Sequence, residues 1–142
     1  VALEVARWLV LFLQRPGGQA QFSSHLQSQL AERMPLRELQ GWIADNLDGD
    51  LRVEALAERA AMSPRNFARA FRREIGMTPA AYVTELRVES ARQRLESGAE
   101  PIDQVAVGCG FGTPETMRRA FSRRVGVAPA EYRNRFRTPT PN

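Results

Sequence analysis

Two short windows of the chain concentrate one kind of side chain. Pro64–Glu74 carries Arg65, Arg69, Arg72 and Arg73 against Glu74 alone, and Pro114–Val125 carries Arg118, Arg119, Arg123 and Arg124 against Glu115 alone, so each nets +3. The guanidinium is a planar, always-charged fork that bonds bidentately to a guanine edge or grips a pair of phosphate oxygens. Arginine at this density points to a polyanionic surface. The plainer alternative is two solvated helix faces in a protein whose basic side chains are all Arg and none Lys, a bias that genomic base composition alone produces. Other chemistries are poorly supplied. Cys109 and His25 are the single members of their types, which excludes an internal disulfide framework and a four-ligand zinc site. As a nucleophile and its base they are badly placed, one inside a turn and the other in a polar stretch. Gly108-Cys109-Gly110-Phe111-Gly112 looks superficially like a phosphate-cradling loop, yet no strand precedes it and no lysine completes it. Neither enzymatic activity nor a cofactor is expected.

The windows belong to an internal repeat. Leu56-Ala57, Met62-Ser63-Pro64, Phe67, Phe71, Gly76, Pro79 and Tyr82 are echoed by Val105-Ala106, Phe111, Met117, Phe121, Gly126, Pro129 and Tyr132. From Phe67 and from Met117 onward the spacings are the same, 4, 5, 3 and 3 residues. The offset between copies is 49 before that point and 50 after it. One extra residue has therefore entered between Phe111 and Met117, where a turn or a helix start absorbs it best.

Each copy reads as helix, tight turn, helix. Val53, Leu56 and Ala60 recur at intervals of 3 and 4. Ser63-Pro64 is a capping residue followed by proline at the first helical position. Phe67, Ala70, Phe71 and Ile75 then form one apolar face, with arginines on much of the rest. In the second copy Ile102, Val105 and Ala106 lead into Gly108-Cys109-Gly110, Thr113-Pro114 opens the next helix, and Met117, Ala120, Phe121 and Val125 point inward. Gly76 and Gly126 fall where a helix ends in left-handed geometry. Thr78-Pro79 and Ala128-Pro129 open further helices. Between the copies, Thr78–Ser97 predicts one long helix with two apolar patches. At about 100° per residue, Tyr82 and Leu86 share one side, while Val88, Ala91 and Leu95 lie about 180–240° round from Tyr82. Such a helix packs one copy with its first half and the other with its second. Ahead of the repeat, Leu36–Leu47 reads as a first helix closing the core rather than as a ligand pocket around Trp42 and Ile43. A helix-turn-helix with a basic second helix suits the major groove, and two in one chain reach successive grooves about 34 Å apart without a dimer.

With these features the chain resembles the AraC/XylS family of bacterial transcription regulators over Pro35–Arg137. The resemblance is most specific at Ala106-Val107-Gly108-Cys109-Gly110-Phe111-Gly112, followed by Phe121, Gly126, Pro129, Tyr132 and Arg133. The chain departs from the family pattern at Thr116-Met117, where a Tyr-Phe pair is usual, and at Arg52, where a Ser or Thr usually caps the first leading helix. The resemblance implies an all-α, homeodomain-like fold of seven helices. Its parts are a helix-turn-helix at about 51–76, a connector helix at about 78–97, a second helix-turn-helix at about 101–126 and a last helix at about 128–137. It also implies sequence-specific binding to a double-stranded DNA operator, transcription regulation, RNA polymerase as a partner, and a bacterial cytoplasmic setting. Carried over by position, Arg65, Ala68 and Arg69 face bases from the third helix, and Glu115, Arg118 and Arg119 from the sixth. Asn66, Arg72, Arg73, Ser122 and Arg123 then fall to phosphate or flanking contacts. The competing reading is a helical interaction module whose basic faces bind an acidic partner. Preference for one operator over random DNA, with a steep salt slope, separates the two.

Residues 1–34 stand apart. Val1–Gln14 reads as a helix apolar nearly all round, a pattern that expects burial in something larger, and the stretch from Arg15 to Phe22 breaks it. This segment resembles the junction in regulators that fuse a class I glutamine amidotransferase-like (PfpI-type) domain to an AraC-type C-terminus. The expectation is thus that 1–34 is the tail helix and linker of a sensor domain, cut from a longer chain, with the stranded helix able to pair into a homodimer. Residues 138–142 read as a frayed tail. The longest apolar run, Trp8–Leu13, is too short to span a bilayer, no secretory leader is visible, and no membrane partner is expected. At 142 residues, 43% hydrophobic and 25% charged, the composition is that of a globular protein with a core. The net charge of +4 averages a −3 stretch at residues 35–50 with the two +3 windows.

Overall fold

The computed structural model of the protein describes residue 33 and residues 35–137. The expectations for Val1–Gln14, the break that follows, His25 and the tail at 138–142 lie outside the described residues. Among those described there are seven helices and no strand: α1 (35–45), α2 (Val53–Arg59), α3 (Pro64–Ile75), α4 (Pro79–Ser97), α5 (Ile102–Gly108), α6 (Pro114–Val125) and α7 (Pro129–Arg137).

Local signals set the helix ends. Ser63 Oγ accepts the Asn66 N–H at 3.2 Å, Thr78 Oγ1 that of Ala81 at 3.2 Å, and Thr113 Oγ1 that of Thr116 at 3.1 Å. Proline follows each cap, where no N–H is needed. Gly76 and Gly126 close α3 and α6 at φ +93° and +96°. The start of α2 has no such cap, since Arg52 offers no side-chain acceptor. Asp50 takes over part of that work. Its carboxylate accepts the Arg52 backbone N–H at 3.2 Å and two guanidinium bonds at 2.9 Å. The guanidinium bond is the main cause that holds the Asp50 carboxyl down at a pKa of about 2.

The two turns repeat bond for bond before they diverge. Ala57 O accepts the Met62 N–H at 2.9 Å, and Ala106 O accepts the Phe111 N–H at 2.9 Å. Met62 then leads straight into the cap Ser63, whereas Gly112, at φ +87°, intervenes before Thr113. The extra residue sits in the turn, as its place in the repeat requires.

Two cores result. Leu36, Ile43, Leu56, Phe67, Phe71 and Val83 are buried in the first, and Val88, Leu95, Val105, Cys109, Met117 and Phe121 in the second. Ile75, Ala120 and Val125 pack at the margins. The connector α4 contributes Tyr82, Val83 and Leu86 to the first core, and Val88, Ala91 and Leu95 to the second. Phe67, Phe71 and Phe121 are fully buried, and truncating any of them to Ala costs about 3–5 kcal/mol.

The repeat is longer than the motif spacing indicates. Leu36, Leu39 and Ile43 of α1 have the same intervals as Val88, Ala91 and Leu95 of α4, at an offset of 52. Helix α1 closes the first core as the second half of α4 closes the second. The polar positions follow suit. Gln40 Nε2 donates to the Tyr82 hydroxyl at 3.3 Å, and Arg92 Nε, 52 residues on, donates to the Tyr132 hydroxyl at 3.2 Å. Each tyrosine ring stands edge-on to a phenylalanine, Phe71 to Tyr82 and Phe121 to Tyr132, with centroids 5.4 Å apart in both.

Candidate nucleic-acid interface

The buried stripes of α3 and α6 fix what each helix turns outward. With Phe67, Ala70 and Phe71 inside, Arg65, Asn66, Arg69, Arg72 and Arg73 are exposed and Ala68 is partly buried. With Met117 and Phe121 inside, Glu115, Arg118, Arg119 and Arg123 are exposed and Ser122 is partly buried. The structure therefore brings the expected residues onto one accessible stripe per helix. Arg65, Ala68, Arg69 and Arg72 recur at helical neighbour intervals, and Glu115, Arg118, Arg119 and Ser122 occupy the same four places 50 residues later.

Electrostatically the stripes differ. On α3, Arg65, Arg69 and Arg72 have no ion pair among the described residues. Arg73 reaches Glu74 at 3.5 Å, and Glu74 also takes Arg33 at 2.7 Å. On α6, Glu115 binds two of its own helix's arginines, Arg118 at 2.5 Å and Arg119 at 3.3 Å. The Arg118 hydrogen bond, then that of Arg119, holds the Glu115 carboxyl below the usual range. The Arg118 guanidinium is raised in turn by the Glu115 bond. Arg124 pairs with Glu85 of α4 at 3.2 Å. The pairs made by Glu115 and Glu85 are solvent-exposed, so they are weak and readily exchanged for a stronger anion, whereas the Glu74 carboxylate is largely covered.

Several residues that hold this surface in place carried no sequence signal of that role. Arg133 is buried on α7 and donates to the Glu100 carbonyl. Arg94 grips the Glu100 carboxylate with bonds of 2.8 and 3.1 Å. Together they clamp the short segment that leads from α4 into α5. Tyr132 donates to the Glu96 carboxylate as well as accepting from Arg92. Cys109 is fully buried, its thiol directed at Ser90 Oγ at 3.5 Å, which is a packing position. Among the described residues, no group of three or more His, Cys, Asp or Glu could hold a metal ion, and no helix is long and apolar enough to cross a membrane.

A family model described as "Helix-turn-helix domain" matches residues 56–135. The HTH-type transcriptional regulator Rv1931c of Mycobacterium tuberculosis is 51% identical over 69 residues, covering 49% of this chain and 27% of its own. The HTH-type transcriptional activator RhaS of Pectobacterium carotovorum is 34% identical over 85 residues, covering 60% of this chain and 30% of its own. The chain thus spans under a third of the length of these curated relatives. Among solved structures, the DNA-binding domain of the transcriptional factor AdpA, crystallised with a target DNA, superposes with a TM-score of 0.70 at 39% identity, covering 75% of this chain and 98% of that one. An AraC-type regulator from Chromobacterium violaceum superposes with a TM-score of 0.66 at 26% identity, covering 76% and 96%.

Proposed function

Because the chain belongs to the AraC-type helix-turn-helix family, we propose that residues 35–137 bind a double-stranded DNA operator in a sequence-specific manner and thereby regulate transcription. Helices α3 and α6 enter successive major grooves. Arg65, Ala68 and Arg69, with Glu115, Arg118 and Arg119, face base edges; Asn66, Arg72, Arg73, Ser122 and Arg123 contact phosphates and flanks. The observation that carries this reading is the repeated build. Two cores of one plan, joined by a shared helix, each display an arginine-bearing helix at equivalent positions. Arginine at such positions donates bidentately to guanine or neutralises phosphate, and only the former selects sequence.

Selection from a random duplex pool tests the reading directly and reports site length and half-site spacing together. The double substitution Arg69→Ala with Arg119→Ala is expected to cost about 1–5 kcal/mol of affinity for the selected site. Unchanged DNA affinity in that variant overturns the reading in favour of an acidic protein partner.

The same proposal covers the rest of the chain. Residues 1–34 are the tail helix and linker of a sensor domain of the glutamine amidotransferase-like class, the 1–14 segment supports a homodimer, and RNA polymerase is the downstream partner in a bacterial cytoplasm. Mass measurement of the chain with and without residues 1–34 checks the dimer. An identical oligomeric state in both counts against that segment.

A further inference from the structure

Where α4 passes from the first core to the second, one side chain bridges the two units. Leu86 packs on the first core and Val88 in the second. Arg87, between them, lays its guanidinium on the loop that joins α1 to α2. Its Nε donates to the Leu47 carbonyl at 2.9 Å and its Nη2 to the Gly49 carbonyl at 3.3 Å. The turn between α5 and α6 closes on the same spot. A Cβ added at Gly110 would lie 1.9 Å from the Leu47 oxygen and 2.6 Å from Arg87 Nε. Only a residue without a side chain lets the backbone seat so closely. Three segments far apart in sequence therefore meet around one guanidinium: the first unit's loop, the middle of the connector and the second unit's turn.

The matching place in the first unit makes no such seat. Ala61, 49 residues before Gly110, has the same left-handed sense at φ +58° but is exposed. The junction is thus an addition to the shared plan, not a product of it. A single helix leaves bending and twisting between its two ends soft. A forked donor spanning two carbonyls, with a backbone turn pressed against one of them, removes that freedom, and the planar guanidinium does so with little rotamer loss per bond.

We propose that Arg87 is the positioning residue that fixes the angle between the two units and hence the spacing of DNA half-sites the protein accepts. This rests on the DNA-binding reading above. A base pair added between half-sites moves one of them by about 3.4 Å and rotates it by about 34°, so a rigid pair of units tolerates few spacings and a loosened pair tolerates several.

The test uses the full chain, first to select a duplex from a random pool and then to measure affinity for that duplex with one or two base pairs added or removed between its halves. The wild-type chain is expected to lose tenfold or more, on the order of the gain from linking two sites, when the spacing changes by two. Arg87→Gln is expected to lose about threefold or less across the same series while its affinity for an isolated half-site stays as in the wild type. If Arg87→Gln fails to fold, Arg87→Lys carries the test, because it keeps the charge and stem but lacks the fork. A variant that is uniformly weaker with an unchanged spacing profile overturns the proposal, and so does a wild-type profile that is already flat. Selection of no sequence at all by the wild type would sink the DNA reading instead.

Discussion

In the first unit the arginines of the outward helix stand largely without counter-ions among the described residues; in the second, a glutamate in the first helical turn holds two of them. The turns differ in the opposite sense. The first unit's turn faces solvent with an alanine in left-handed geometry, and the second's is seated against its neighbour with a glycine there. A duplicated plan has thus been specialised at two places that do not touch either core. The first unit offers the more strongly basic face, and the second carries the contact that holds the pair together. A shared packing plan with unlike surfaces shows that the core specifies the shape of each unit while a handful of exposed positions specify its part in the whole.

The sharpest way to break this comparison is at the turns. Gly110→Ala forces a side chain into left-handed geometry and into the Leu47 carbonyl, so thermal or urea unfolding should show a loss of about 2–5 kcal/mol. Ala61→Gly, its counterpart, should instead gain about 0.5–1 kcal/mol, because relief of the left-handed strain exceeds the entropy a glycine adds to the unfolded chain. Two changes of the same sign would mean that the turns are equivalent after all.

Next in size come the outward arginines. Arg69→Ala should weaken binding to a selected operator by about 1–3 kcal/mol in a titration. Arg119→Ala, at the matching place, should weaken it several-fold less, since Arg119 gives up its Glu115 partner before it can bind DNA. Equal losses would erase the electrostatic distinction between the faces.

The tyrosines sharpen the same contrast inside the fold. Tyr132→Phe removes bonds to a carboxylate and a guanidinium and should cost about 1.5–3 kcal/mol, against about 0.5–1.5 for Tyr82→Phe, which loses one amide bond. Burial first, and the Glu96 carboxylate second, push the Tyr132 hydroxyl above its ordinary value. The neutral phenol is the form the folded state prefers. Its contribution is therefore full below about pH 10 and is lost as pH rises through the elevated folded value. Unfolding followed from pH 8 upward should show an alkaline decline that Tyr132→Phe lacks.

Smallest is Glu115→Gln. It releases Arg118 and Arg119, so affinity for random-sequence DNA should rise by about two- to fivefold at low salt and the salt slope should steepen. No change in either would show that Glu115 does not restrain the helix.

The fold was legible in the sequence wherever a residue acts on its own neighbourhood. Ser63, Thr78 and Thr113 with their prolines mark three helix starts, Gly76 and Gly126 mark two ends, and the aromatic spacing marks the repeat, because caps and apolar periodicity are local rules. The stripe of exposed candidates follows from the same periodicity. The α1 counterpart of α4 leaves no motif in the sequence, because its positions match while its side chains do not: Leu36, Leu39 and Ile43 answer Val88, Ala91 and Leu95. The contacts of Arg87 and Arg133 leave no trace in the sequence for a different reason. Their partners are backbone carbonyls, which every residue possesses, so nothing in the identity of Leu47, Gly49 or Glu100 announces an arginine above it. Arg133 stands out in the sequence only as the end of the family-like pattern with Tyr132, and Arg87 only as one more positive charge.

The connector α4 serves two cores with opposite halves of one continuous helix. Adding or deleting a single residue near its middle would turn everything after that point by about 100° and shift it by 1.5 Å, with no loop to absorb the error. The exposed positions of this helix can vary but its length scarcely can, whereas the turn that took up Gly112 shows where the fold does accept an insertion.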